Sequence, residues 1–149
     1  YFPLSKSMLD SLRPFHLAIP VTDILIDLNW YTHILGCKVG RKAVDWIDFF
    51  FGDQLVTHLV AVKEDDSSTN AVDCEDVPSR HFGIILHISK WEELVQNLQK
   101  KRIQFLIQPQ MRFKGKTGEQ STFFTLDPFG NALEFKAFQD DSQIYSVQL

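Results

Sequence analysis

Apolar and polar residues alternate over residues 15–21. Phe15, Leu17, Ile19 and Val21 share one face, and His16 and Ala18 share the other, which is the period of a β-strand. Thr22 or Asp23 is then placed to cap a helix whose apolar positions Ile24, Leu28, Tyr31 and Leu35 recur at spacings of four, three and four. Gly36 ends that helix in the usual C-terminal position. Three strand-like runs follow at 37–41, 44–51 and 55–62, with Gly52-Asp53 as the turn between the last two. In the middle run Trp46, Phe49, Phe50 and Phe51 put rings on both faces. One face is read as core, and Phe50 on the other as a candidate pocket wall.

Residues 64–80 are rich in Asp, Ser, Thr and Asn, contain Pro78 and show no periodicity, so they read as an exposed connection. The pattern then starts again. A strand is predicted at 81–88 and a helix capped by Ser89 through Lys101, with Trp91, Leu94, Val95 and Leu98 on one face and Glu92 completing a capping box. Strands are expected at 104–107, 121–126 and 132–138, the last two joined by the turn Asp127-Pro128-Phe129-Gly130-Asn131. The order of elements is therefore βαβββ twice, which predicts an α+β fold of two paired modules, 14–63 and 80–139, joined by a linker at 64–79. The paired modules form a curved mixed sheet around a cavity, with the helices outside. One such module cannot bury both faces of its sheet, so modules must pair with each other or with another chain, and a homodimer is expected.

Composition narrows the function without naming it. The 149 residues carry 15 Lys+Arg against 19 Asp+Glu, a formal net charge of −4, and the basic residues cluster only at Lys100, Lys101 and Arg102. That gives no footprint for a phosphate backbone, so no nucleic-acid partner is expected. No apolar run approaches membrane-spanning length. Residues 1–13 lack the pattern of a secretory signal and read as a tail or packing arm. Cys37 and Cys74 are too few for a disulfide framework, which points to a reducing, cytoplasmic setting.

The candidate chemistry lies at equivalent points of the repeat. His16 and His81, 65 positions apart, open the first strand of each half; His58 and Glu134, 76 positions apart, lie in the last. The difference of 11 is assigned to an insertion in the loop 108–120. Pairing the halves about a pseudo-twofold axis would bring His16, His58, His81 and Glu134 to one cavity. Three imidazoles and a carboxylate suit a small-molecule site holding Fe, Zn, Mn, Ni or Co rather than Ca or Mg. Glu134 and His58 are the candidate catalytic groups. Arg112 or Lys114, in a basic loop containing Gly115 and Gly118, would close over a bound anionic substrate, or else stay solvated in an exposed hairpin loop. His33 and His87 have no repeat partner of ligand type and read as structural.

The strand His16-Leu-Ala-Ile-Pro-Val with Trp30-Tyr31-Thr-His-Ile-Leu-Gly36, and above all the ending Phe124-Thr-Leu-Asp127-Pro-Phe-Gly130-Asn-Ala-Leu-Glu134-Phe, resemble the vicinal oxygen chelate superfamily. That superfamily includes glyoxalase I, extradiol dioxygenases, methylmalonyl-CoA epimerase, thiol transferases acting on fosfomycin, and proteins that sequester bleomycin without metal. Residues 78–83 and 112–120 further resemble a small group of predicted extradiol-type dioxygenases. By this resemblance His16, His81 and Glu134 match the three shared metal positions. His58 matches an extra position that is a carboxylate or amide in glyoxalase I and the epimerase. The resemblance implies a metal-dependent enzyme, with Fe(II) favoured and oxygen chemistry on a small anion bearing adjacent oxygens. A glyoxalase- or epimerase-type isomerase is the alternative, and a metal-free binding protein the second alternative.

Overall fold

A computed structural model describes residues 13–62, 68–72 and 75–146. Of the expected N-terminal arm, residues 1–12 lie outside the described residues. The elements run β1 (His16–Val21), α1 (Ile24–Asn29) continued by a π-helical turn (Trp30–Ile34), β2 (Lys38–Lys42), β3 (Trp46–Phe51), β4 (Asp53–Leu59), β5 (Thr69–Val72), β6 (Glu75–Pro78), β7 (His81–Ile85), α2 (Ile88–Lys100), β8 (Phe105–Arg112), β9 (Gln120–Leu126) and β10 (Ala132–Phe138). The βαβββ order appears in both halves, as the periodicity predicts.

Each half builds a four-stranded mixed sheet, in the order β1-β4-β3-β2 and β7-β10-β9-β8. The outer pairs β1/β4 and β7/β10 are parallel and the other neighbours antiparallel. Parallel pairing needs a crossover, and the helix of each half begins it. Asp23 caps α1, its carboxylate accepting from the backbone N–H of Leu25 and Ile26. α2 starts two residues earlier than the sequence suggests: His87 stands at the cap position in extended conformation without a side-chain bond, and Ser89 lies inside the helix. Ile88 packs against the core from the first turn, and its burial outweighs the polar cap.

One apolar cluster joins the helical faces of both sheets. It contains Ile19, Tyr31, Phe49, Phe51 and Leu55 from the first half and Trp91, Leu98, Phe123, Leu133 and Phe135 from the second. Phe51 meets Phe82 and Phe135 edge-on across the junction, and the Lys101 ammonium donates to the carbonyls of His33 and Ile34. The opposite face of each sheet carries the chemistry. No helix among the described residues is long and apolar enough to cross a membrane.

The connection expected at 64–80 is not featureless. Its described residues form the antiparallel hairpin β5/β6, with Val77 fully buried against Ile107 and Phe124 on the open face of the second sheet. Residues 63–67 and 73–74 lie outside the described residues. A lone buried valine among polar residues carries no periodicity, which is why sequence pattern misses the hairpin. β8 also runs on to Arg112, shortening the expected loop to residues between Arg112 and Gln120.

Candidate metal centre

Glu134 lies at the middle of β10, between β7 and β9, opposite Gly83 and Phe124. Leu133 and Phe135 turn to the core, so alternation sends Glu134 to the open face. It is nonetheless buried, and its Oε1 accepts from Thr122 Oγ1 at 2.9 Å. Trp91 Nε1 donates to the Phe135 carbonyl at 2.9 Å, which ties the same strand to α2.

His81 opens β7 beside it, Nε2 lying 3.6 Å from Glu134 Oε2. The other ring nitrogen, Nδ1, is 3.1 Å from the Pro78 carbonyl, which can only accept. Nδ1 therefore carries a proton toward this carbonyl, and Nε2 faces the Glu134 carboxylate. A carbonyl accepting from one ring nitrogen is a usual support of a metal-ligating imidazole. Phe124 closes one side, its ring edge-on to His81 at 5.3 Å. Gly83 is the strand residue that passes Glu134, and a Cβ there would lie 1.5 Å from the Glu134 carbonyl oxygen. Only glycine permits this approach.

The turn before β10 explains the most distinctive stretch of the sequence. Asp127 Oδ1 accepts from the backbone N–H of Phe129 and Asn131, and Oδ2 from Asn131 Nδ2 at 2.6 Å. Gly130 takes positive φ, and Asn131 Nδ2 also reaches the Pro20 carbonyl at 3.1 Å. The turn thus sets the start of the Glu134 strand and binds it to β1 of the other half. Burial raises the Asp127 carboxyl pKa, and these donors partly offset the shift.

The first sheet carries the matching arrangement. His16 opens β1, and its Nδ1 lies 2.8 Å from Gln54 Oε1, so Gln54 orients His16 as Pro78 orients His81 and Nε2 is again left free. The second half pairs Glu134 with Gly83, two residues past His81. The same step past His16 reaches Ala18, whose partner is Val56. Valine, not histidine, therefore occupies the position equivalent to Glu134. His58 stands opposite Pro20 and Trp46, four residues along β4 from Gln54, which is roughly 13 Å of strand. This corrects the pairing of His58 with Glu134: the repeat offset taken from the sequence is two residues short, and the register is set by contacts between strands that the chain joins only distantly.

His16 and Gln54 thus belong to one sheet, and His81 and Glu134 to the other. Among the described residues no group of three or more His, Cys, Asp or Glu lies close enough to hold a metal ion. Each sheet thus carries one candidate half-site. Two Nε2 donors and a carboxylate are a donor set suited to a first-row transition ion, and the second half-site already converges.

Of the substrate-binding candidates, Phe50 is exposed on the open face of the first sheet, in the row Lys38, Phe50, Gln54, His16. Arg112 ends β8 opposite Gln120, its guanidinium 5.3 Å over the Phe113 ring, and Lys114 is exposed in the loop beyond. His33 is exposed at the helix end, bonded to the Asn29 carbonyl, and His87 pairs with Asp141 at 3.3 Å. Two residues escape sequence reasoning. Gln54 becomes visible only through the β1/β4 register, whereas Lys136, whose Nζ lies 3.2 Å from Glu134 Oε2, follows it by two on a strand and was legible from that spacing.

Residues 13–135 match the glyoxalase/bleomycin resistance protein/dioxygenase superfamily. A glyoxalase/bleomycin resistance protein/dioxygenase from Alicyclobacillus acidocaldarius is 37% identical, with 89% of this chain and 96% of that one covered and a TM-score of 0.75. A glyoxalase/dioxygenase from Nostoc punctiforme, 18% identical, covers 94% of this chain and 99% of its own at a TM-score of 0.64. The fosfomycin resistance protein FosX from Listeria monocytogenes, 13% identical, covers 87% and 96% at 0.60. These last two share the fold. No curated protein matches the chain.

Proposed function

The chain belongs to the glyoxalase/bleomycin resistance protein/dioxygenase superfamily, and on that premise we propose that it is a metal-dependent dioxygenase of the extradiol type. Its substrate is a small anion with two adjacent oxygens. The observation that carries this reading is the donor set: His16, His81 and Glu134, with Val56 where a fourth ligand would stand in register. Two histidines and one carboxylate leave three coordination positions of an octahedral ion open, enough for a bidentate substrate and dioxygen. A fourth protein ligand would remove one of them.

The half-sites meet when a second copy presents His16 and Gln54 to His81 and Glu134, so the enzyme is a homodimer with composite sites. Ferrous iron held there by His16, His81 and Glu134 would supply Lewis acidity and redox chemistry with dioxygen. The protein contributes the rest. Pro78 and Gln54 hold both imidazoles with Nε2 free, Thr122 fixes the carboxylate, and Val77 and Phe124 keep the face beside them apolar. Neutral imidazoles and one carboxylate leave a divalent site with a charge of +1, which favours an anionic substrate. Phe50, in the row of His16, would hold a substrate ring, and Arg112, in the second sheet, its charge.

The test is reconstitution of metal-free protein with Fe(II), Zn or Mn, followed by an anaerobic-to-aerobic shift with catechols, 2-oxoaldehyde hemithioacetals and acyl-CoA esters. Oxygen uptake with a catechol and Fe(II) is expected. Turnover of a hemithioacetal without oxygen uptake would assign isomerase chemistry instead, and failure to retain any metal would remove the enzyme reading.

A further inference from the structure

Lys136 and Glu134 are two residues apart on β10, so both side chains leave the open face. The Lys136 ammonium lies 3.2 Å from Glu134 Oε2, the same oxygen that His81 Nε2 approaches at 3.6 Å, while Thr122 occupies Oε1. A carboxylate this buried requires a counter-charge, and Lys136 supplies it. A divalent ion held by Glu134 would take over that role and repel the ammonium.

The displaced ammonium has few places to go. Glu134 is the only acidic residue in the four strands of the second sheet. The row across this face is Ile85, Lys136, Thr122 and Gln110, and the Thr122 hydroxyl is already donated to Glu134. One row beyond, Gln120 is buried with its Oε1 lacking a hydrogen-bond partner, diagonal to Lys136 and within reach of a long side chain. It can accept one ammonium proton but cannot neutralise the charge. Once metal is bound, the four strands therefore offer this ammonium no other carboxylate.

We propose that Lys136 is an exchangeable counter-ion: it balances Glu134 before metal binds, and afterwards holds an anionic oxygen of the substrate. This rests on the metal site proposed above and assigns the residue that selects a negatively charged substrate over a neutral one. Arg112 and Lys114 lie at the far edge of the sheet and in the loop beyond; Lys136 is the cation at the carboxylate itself.

The two roles predict opposite changes on removing the charge. Calorimetric titration of Mn(II) into metal-free protein should show Lys136→Met binding about ten-fold tighter than wild type, the scale on which neighbours of a metal ligand act. Oxalate, a dianion with adjacent oxygens, should bind the Mn(II)-loaded variant about ten-fold more weakly, with Lys136→Arg restoring oxalate affinity. Lys136→Gln is read the same way if the methionine variant does not fold, thermal unfolding of the metal-free proteins providing that check. Unchanged or weaker Mn(II) binding by the methionine or glutamine variant, or unchanged oxalate binding by it, overturns the proposal while leaving the metal site standing. Absence of Mn(II) binding by the wild type overturns both.

Discussion

The Tyr31 phenol donates to Asp127 Oδ2 at 3.2 Å, joining the end of the first helix to the turn before β10 across 96 positions of sequence. Tyr31 is fully buried, stacks on Phe49 at 5.0 Å and meets Trp30 edge-on. Burial first, and then the Asp127 and Asp27 carboxylates, hold its pKa well above the usual range, so it remains a donor. The same Asp127 organises the turn that leads to Glu134, so the contact between halves and the geometry of the candidate site share one side chain.

Tyr31→Phe leaves the ring in place and removes one donor to a carboxylate that keeps three others. A loss of about 1–2 kcal/mol is expected in urea unfolding. Asp127→Ala removes both side-chain acceptors of the turn and should cost more, on the order of 3 kcal/mol, and lower metal retention through β10. Equal effects of the two variants would show that Asp127 does not organise the turn.

Asp27, on α1 and fully buried, accepts from Thr57 Oγ1 at 2.6 Å while its Oδ1 has no hydrogen-bond partner. Burial pushes its pKa to about 6 from 3.8. Between these values the folded protein keeps a proton that the unfolded chain releases, so raising the pH favours unfolding. Stability should fall as pH rises from about 4 to about 6 and stay lower above it, by roughly 3 kcal/mol. Asp27→Asn keeps an acceptor for Thr57 and should lack this slope, being the more stable protein at pH 8 and near-equal at pH 4. Parallel stability curves for the two proteins would contradict the assignment.

Gly83→Ala places a methyl group against the Glu134 carbonyl, where 1.5 Å is available. Because the obstacle is backbone, β7 and β10 must separate, at an expected cost of about 3 kcal/mol or more with loss of metal retention. Wild-type melting together with wild-type metal content would show that the strands do not approach this closely.

Composite sites predict complementation. His16→Ala and Glu134→Ala proteins should each fail to hold metal, yet after subunit exchange at equal amounts about a quarter of the sites regain all three ligands, since half the dimers are mixed and each carries one intact site. His58→Ala should retain metal like the wild type, because His58 lies opposite Pro20, away from His16. Recovery that fails in mixtures of exchanged subunits would place the site within one chain.

The elements themselves were readable locally. Alternation marks β1 and β10, the 3.6-residue period marks both helices, Asp23 and Gly36 end the first, and the repeat of βαβββ order implies two sheets. His16, His81 and Glu134 were legible for the same reason, since each lies on the polar side of a strand whose other face is core. What the chain does not write locally is which residues of separate strands stand side by side. β1 and β4 pair in parallel across 38 positions, and that register, settled by packing of Leu55 and Thr57 beneath α1, puts Gln54 beside His16 and Val56 in the place assumed for His58. The buried Val77 hairpin and the separation of the two half-sites onto different sheets were likewise decided by tertiary packing. Side-chain period is a property of one strand, whereas ligand convergence depends on the register and facing of several, and only the folded core sets those.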